Sequence, residues 1–265
     1  MKQYLGTLYA LLFGRPCFQW LNKAAFYLSA RGLGLFNYES LRISGERYVI
    51  GRFIKKSGSP VVFDVGANAG AWSAEVLKHN SSATLHLFEP QAALASTLKS
   101  VFPLAQVNNV AVADEAGTLQ LHDYEDGAGS SHATLVNRVI ETVHQKKARS
   151  IEVDVISLDD YCERNTIGWI DFLKVDVEGF EYKVLTGAQN MVRAGQIGVI
   201  QFEFNSMNQL TRVFVKDFMD FLGDGYRVYR ALPSGLLPLD PRSTWINEQF
   251  AFQNIVAVSK GWADA

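Results

Sequence analysis

Apolar positions between residues 61 and 112 fall in short runs rather than long stripes. V-V-F-D-V at 61–65 and T-L-H-L-F at 84–88 read as parallel strands buried on both faces. Residues 70–79 and 91–101 carry helical spacing, and V-N-N-V-A-V at 107–112 predicts a third strand. Strand and helix in alternation predict an α/β fold, a parallel sheet with helices on both faces.

The rhythm changes after 112. G-T-L-Q-L-H-D at 117–123 and I-E-V-D-V at 151–155 alternate with period two, around a polar Gly-Ser loop at 126–132. This predicts an antiparallel β insertion over 117–155 that lends a loop to the site. Ser157 is the expected N-cap of a short helix, with Asp160 at the capping-box position. The α/β pattern returns with a strand at 170–175, a helix at 180–193, a strand at 198–204 and a helix at 211–222. Residues 225–231 and 250–258 then form a terminal strand pair joined through 233–241. The expected division is a main domain over 57–265 and a helical extension or lid over 1–56.

Residues 1–36 are rich in aromatics (Tyr4, Tyr9, Phe13, Phe18, Trp20, Phe26 and Tyr27), arranged for two amphipathic helices around Arg15-Pro16. Packing on the main domain, as core or lid, is the first expectation; peripheral membrane contact is the second. The apolar run at 5–13 is interrupted by Arg15-Pro16 and is far short of the ~20 residues a membrane span requires. Neither secretion nor spanning is expected.

Composition narrows the classes. With 48% hydrophobic and 20% charged residues the chain has ample material for a core. A net charge of −2 without Lys/Arg blocks argues against a nucleic-acid surface. Cys17 and Cys162 are too far apart for a metal motif and read as reduced thiols of a cytoplasmic protein.

The chemistry starts at the break after the first strand. Strand, glycine turn and helix present backbone N–H groups to a ligand at the carboxyl end of a sheet. The turn here is Asp64-x-Gly66-Ala67-Asn68-x-Gly70, without the middle glycine of a dinucleotide G-x-G-x-x-G, which disfavours NAD and FAD. An acid at the strand end suits an amine-bearing ligand. Glu89, ending the second strand, suits a ribose diol. S-adenosylmethionine satisfies both, with its adenine near Asn109, Ala111 and Val112. An NAD(P)-dependent oxidoreductase and a non-catalytic, membrane-docked partner protein are the alternatives.

Methyl transfer to a hydroxyl needs a group that removes the proton. Asp176 and Glu178 leave the strand at 170–175, Glu203 and Asn205 leave the strand at 198–204, and His132 lies in the Gly-Ser loop. Helix capping is the structural role open to Asp176 and Glu178. As catalysts, Asp176, Glu203 or His132 would act as general base. Alternatively Asp176, Glu203 and Asn205 would hold Mg²⁺. The metal-free route is preferred.

The motifs V-F-D-V-G-A-N-A-G, L-F-E-P, N-V-A-V-A-D, S-L-D-D-Y and D-F-L-K-V-D-V-E-G-F-E-Y-K-V-L-T-G-A resemble the FkbM-type methyltransferases over roughly 60–205. The resemblance implies a Rossmann-like class I fold with a seven-stranded, mostly parallel sheet and a terminal antiparallel strand. It also implies S-adenosylmethionine as donor and O-methylation of a sugar, glycan or other natural-product hydroxyl. It does not reach residues 1–56 and is silent on the acceptor's identity.

Overall fold

A computed structural model describes residues 2–54, 57–124, 134–135 and 148–263. The polar loop at 126–132, with His132, lies outside the described residues.

The central sheet is built from β1 (Val61–Val65), β2 (Thr84–Phe88), β3 (Gln106–Asn108), β7 (Ile170–Val175), β8 (Ile197–Phe204), β9 (Tyr226–Leu232), β10 (Gly235–Pro238) and β11 (Gln253–Ser259). Their order is β10-β9-β11-β8-β7-β1-β2-β3. The five strands from β8 to β3 run parallel, and β11 lies antiparallel between β8 and β9. This is the mixed α/β architecture expected, with eight strands instead of seven. The additional strand is β10, which turns back from β9 as an edge hairpin.

The run at 107–112 is not one strand. Residues Gln106–Asn108 pair with β2, whereas β4 (Ala111–Val112) leaves for a second sheet with β6 (Ala148–Ile156) and β5 (Gly117–Tyr124). The antiparallel insertion is therefore tied to the main sheet by a chain that changes sheets at 109–110. Along β5 and β6 the pairing runs from Gly117↔Val155 to Tyr124↔Ala148.

Period-two alternation sorts the side chains of β1. Phe63 and Val65 join a core with Phe88, Leu173, Phe202 and Phe218. Val62 faces the opposite layer, with Trp72, Val76, Leu98, Phe172 and Val256. That second layer is covered by α3 (Glu46–Phe53), α4 (Ala71–His79) and α5 (Ala92–Val101), and Val49 and Ile50 of α3 are fully inside it. The first layer is covered by α6 (Leu158–Arg164), α7 (Glu181–Thr186), α8 (Gln189–Arg193) and, after the short α9 (Asn208–Thr211), α10 (Val215–Leu222). Ser157 caps α6, accepting from Asp160 N at 3.1 Å.

Two expected helices are each divided. The helix read at 180–193 breaks at Gly187, where a Cβ would lie 2.0 Å from the Ala113 carbonyl oxygen, so this position needs a bare backbone. Asp159 then caps the new start, accepting from Asn190 N and Met191 N. The helix read at 211–222 is interrupted at Arg212, whose φ is +56°.

At the N-terminus, α1 (Lys2–Phe13) and α2 (Gln19–Gly32) form a hairpin around Pro16. Tyr9 Oη donates to Asn22 Oδ1 at 2.7 Å, and Asn22 Nδ2 donates to the Phe13 carbonyl at 3.0 Å. The aromatics expected in the core are mostly at the surface: Tyr4, Tyr9, Trp20, Phe26 and Tyr27 are all exposed. The expectation that this segment packs as core is corrected here. Within α2 the one buried residue is Ala30, at its end where the chain rejoins the body.

Candidate active site

The turn after β1 is shaped by contacts that only small residues permit. Gly66 has φ +81°, and a Cβ there would lie 1.8 Å from the Asp176 carbonyl oxygen. The N–H groups of Gly66 and Ala67 both donate to the Phe88 carbonyl, and Gly70 N closes the turn on Ala67 O at 2.8 Å. Asn68 sits at φ +48°, a left-handed conformation that asparagine tolerates better than most residues. Gly70, at φ +80°, begins α4 against Phe102 and Leu98.

Glu89 is 3% exposed. Its Oε2 accepts from Asn68 N and its Oε1 from Gln91 N, both at 2.9 Å. Burial pushes its carboxyl up to about 7, against those two N–H bonds, which favour the charged form. Asn109 Nδ2 donates to the carbonyls of Glu89 and Pro90, so it holds the strand end in place.

A cleft opens over this turn. Its walls are Val65, Gly66, Asn68 and Phe88–Gln91 from the ends of β1 and β2; Val110–Val112 at β4; Leu121 and Leu135 from the insertion; and Asp176–Glu178 after β7. Of the expected donor-binding residues, Gly66, Asn68, Glu89, Ala111 and Val112 line it. Asp64, Ala67, Gly70 and Asn109 stand behind it and shape it. The wall formed by Val110, Leu121 and Leu135 is not among the expected site residues; its one signal in the sequence is the inward position of Leu121 on an alternating strand.

Asp64 has no solvent exposure. It points into the layer beneath the turn, where Ser73 Oγ donates to its Oδ2 at 2.6 Å. Across the sheet, Lys174 Nζ lies 3.5 Å from Asp64 Oδ1 and 3.1 Å from Asp176 Oδ2. Burial works against the Lys174 ammonium, but Asp176, Asp64 and Glu46 outweigh it and raise its pKa above the ordinary lysine value. Glu46 of α3 itself accepts from Ser44 Oγ and Gln201 Nε2. Its pKa is raised, chiefly by burial.

The loop after β7 is the second strained turn of the site. Glu178 has φ +56° and Gly179 φ +98°. The Glu178 carbonyl accepts from Thr134 Oγ1 at 2.7 Å, which links the insertion to this loop. The capping role open to Asp176 and Glu178 is performed by Glu181, whose Oε1 accepts from Val177 N and Gly179 N. Its Oε2 is buried without a partner among the described residues, and burial pushes the Glu181 carboxyl up to about 8.

Glu203 ends β8 beside these acids and accepts from Asn205 Nδ2. Burial, and then the charges of Asp176 and Glu178, raise its pKa well above the usual carboxylate range. Asp176, Glu178, Glu203 and Asn205 are thus brought to one end of the sheet. Among the described residues no three His, Cys, Asp or Glu side chains converge as a metal site.

The arrangement is a cleft over the glycine turn beside an acidic patch. The family model of the Methyltransferase FkbM domain matches residues 64–230, from the end of β1 into β9. The chain belongs to the FkbM methyltransferase family. The family matched is one of methyltransferases and not of NAD(P)-dependent oxidoreductases.

The chain is also similar to the 31-O-demethyl-FK506 methyltransferase FkbM of Streptomyces tacrolimicus, at 31% identity over 155 residues. The match takes in 49% of this chain and 60% of that relative. Among solved structures, a TehB-like SAM-dependent methyltransferase from Corynebacterium glutamicum aligns with TM-score 0.44 and 13% identity, over 90% of this chain and 97% of that one. An O-methyltransferase from Bacillus cereus, in complex with SAH, aligns with TM-score 0.39 and 11% identity, over 97% of each chain.

The cleft residues have the chemistry that a sulfonium nucleoside would require. Glu89 keeps carboxylate lone pairs beyond those its two N–H partners use, where ribose hydroxyls can donate. Val110, Ala111, Val112 and Leu121 offer an apolar wall to a purine, and the Gly66 backbone is held where no side chain fits.

Proposed function

We propose that this FkbM-family protein is an S-adenosylmethionine-dependent O-methyltransferase acting on a hydroxyl of a sugar, a glycan or a related natural product. The observation that carries the reading is the convergence of three carboxyl groups: Asp176 and Glu178 line the cleft, and Glu203 stands beside them, held by Asn205 Nδ2 and with its pKa raised by burial and by their charges. A base poised nearer neutrality than an ordinary carboxylate is what proton removal from an alcohol requires. The relative whose name specifies a 31-O position supports oxygen as the accepting atom.

When bound, the donor supplies an electrophilic methyl carbon on a sulfonium. Asn205 orients Glu203, which takes the hydroxyl proton as the acceptor oxygen bonds to the methyl. The donor's own contribution would be that methyl and a neutral thioether leaving group, which would keep the carbon–sulfur electron pair. Lys174 holds Asp176 in a fixed position, and the charges of Asp176 and Glu178 favour the protonated form of Glu203. Glu181 keeps the turn at 177–179 closed through its two N–H bonds.

The two free cysteines, one exposed at Cys17, support placement in a reducing compartment such as the cytoplasm. Among the described residues no helix is long and apolar enough to cross a membrane.

The test is transfer of labelled methyl to a panel of hydroxyl-bearing glycans, glycolipids and nucleotide sugars. Glu203→Gln is expected to lower kcat on the acceptor so found by ~10²–10⁴-fold while leaving donor affinity unchanged. Unchanged kcat would remove Glu203 from the chemistry.

A further inference from the structure

The α1–α2 hairpin presents apolar surface that nothing in the fold covers. Between Gln3 and Gly14 the chain has no charged residue, yet Tyr4 is 82% exposed and Leu5, Leu8, Tyr9, Leu11 and Leu12 are exposed with it. On α2, Trp20 is 71% exposed, and Phe26 and Leu28 lie open as well. A helix that is apolar on nearly every side is ordinarily buried.

The charge of this segment differs from that of the body. Residues 1–38 hold four cations (Lys2, Arg15, Lys23 and Arg31) and no Asp or Glu. The rest of the chain holds 21 Lys and Arg against 27 Asp and Glu, so a +4 segment is joined to a −6 body. Arg31 is engaged by Glu39, whereas Arg15 and Lys23 flank an open recess between the helices, with Gln19, Asn22 and Phe26. Cations beside exposed Trp, Tyr and Leu suit an anionic interface into which apolar side chains insert.

Placement on the fold agrees. Phe36 N donates to the Phe252 carbonyl, and the adjoining Gln253 pairs with Phe204 at the carboxyl end of β8. The fully buried Arg230 donates to the Leu33 carbonyl and to Gln253 Oε1, which locks the base of the hairpin. The hairpin is therefore rooted at the end of the sheet that carries Glu203.

The geometry points to a peripheral membrane anchor: α1 and the first turns of α2 lie in the surface of an anionic lipid bilayer, with Arg15 and Lys23 on lipid phosphates. At 12 residues, α1 is about 18 Å long, well short of the ~30 Å hydrocarbon core, so it lies in the interface. A second copy of this chain is a poorer occupant, because a two-fold contact would set one cationic, carboxylate-free patch against its twin. The inference does not rest on the methyl-transfer reading.

The test is flotation of the full chain with equimolar phosphatidylcholine–phosphatidylglycerol vesicles and with pure phosphatidylcholine vesicles. The chain is expected to float with the mixed vesicles and ~10-fold less with the neutral ones. Leu5→Glu with Leu8→Glu, and separately Arg15→Glu with Lys23→Glu, are each expected to abolish flotation without changing the circular dichroism spectrum, since all four side chains are exposed. No flotation with the mixed vesicles overturns the proposal, as does flotation that both variants retain. Concentration-dependent self-association in sedimentation velocity, abolished by the leucine variant in a chain that does not float, assigns the face to a second copy and overturns it equally.

Discussion

Lys174 Nζ lies 3.1 Å from Asp176 Oδ2, so an acid of the cleft wall is tied to a cation that is itself buried against Asp64 beneath the glycine turn. The pairing spans both halves of the site. Asp64 and Lys174 are direct partners in the β1–β7 register, and Asp176 N donates to the Val65 carbonyl. Removing the ammonium leaves Asp64, with no solvent exposure, facing Ser73 and an uncompensated neighbour. Lys174→Met is expected to cost about 3–5 kcal/mol of folding stability. Urea unfolding of the two proteins measures it, and a difference below about 1 kcal/mol would contradict this role.

Gly66 is required for a different reason. Its left-handed φ is unfavourable for residues with a Cβ, and that Cβ would overlap the Asp176 carbonyl. Gly66→Ala is expected to destabilise by more than about 2 kcal/mol and to abolish donor binding. Thermal unfolding with and without S-adenosylhomocysteine checks both parts.

The pattern of what was legible follows from distance along the chain. D-V-G-A-N-A-G and L-F-E-P could be read because turn, strand end and acid lie within a few residues of one another. The Lys174–Asp64 pair joins residues 110 apart and leaves no local signature. The same holds for Gly187, whose need for a bare backbone comes from Ala113 on another element. Residues 107–112 read as one strand because apolar content does not record a change of sheet. The surface exposure of Tyr4 and Trp20 was illegible for a related reason: aromatic spacing predicts a helix face and not what covers it.

Glu181 is protonated more readily in the folded protein than in the unfolded chain, its carboxyl standing near 8 instead of 4.5. A raised carboxyl pKa means that the folded state binds the extra proton. The contribution is therefore complete below about 4.5 and is lost as pH rises toward 8. Stability is expected to decline across that window by on the order of 1 kcal/mol per pH unit from this group. Glu181→Gln keeps an oxygen for Val177 and Gly179, and is expected to flatten the difference between pH 5 and 8. An unaltered pH profile would contradict the assignment.

Donor affinity is expected to follow Glu89. With its carboxyl near 7 in the free protein, ribose hydroxyls meet the better acceptor only as pH rises through that value. Affinity for S-adenosylhomocysteine is expected to rise between pH 6 and 8 and then level off. Glu89→Gln removes this dependence and weakens binding by about 10- to 100-fold, the range for a hydrogen bond to a charged group. Calorimetry at three pH values separates this from a general effect.

A strong chelator is expected to leave methyl transfer intact. Asp176 is engaged by Lys174, and the amide nitrogen of Asn205 faces Glu203, so these groups are arranged to orient a base. Loss of activity on chelation, restored by Mg²⁺, would return the metal route.

The most direct test of the central claim, that the cleft over Gly66, Asn68 and Glu89 is the donor site, is calorimetric titration of the purified full chain with S-adenosylhomocysteine. The account predicts one site of micromolar affinity in the wild type, weakened by Glu89→Ala and unchanged by Glu203→Gln. A wild type that takes up no S-adenosylhomocysteine, or a Glu89→Ala variant that takes it up equally well, would contradict it.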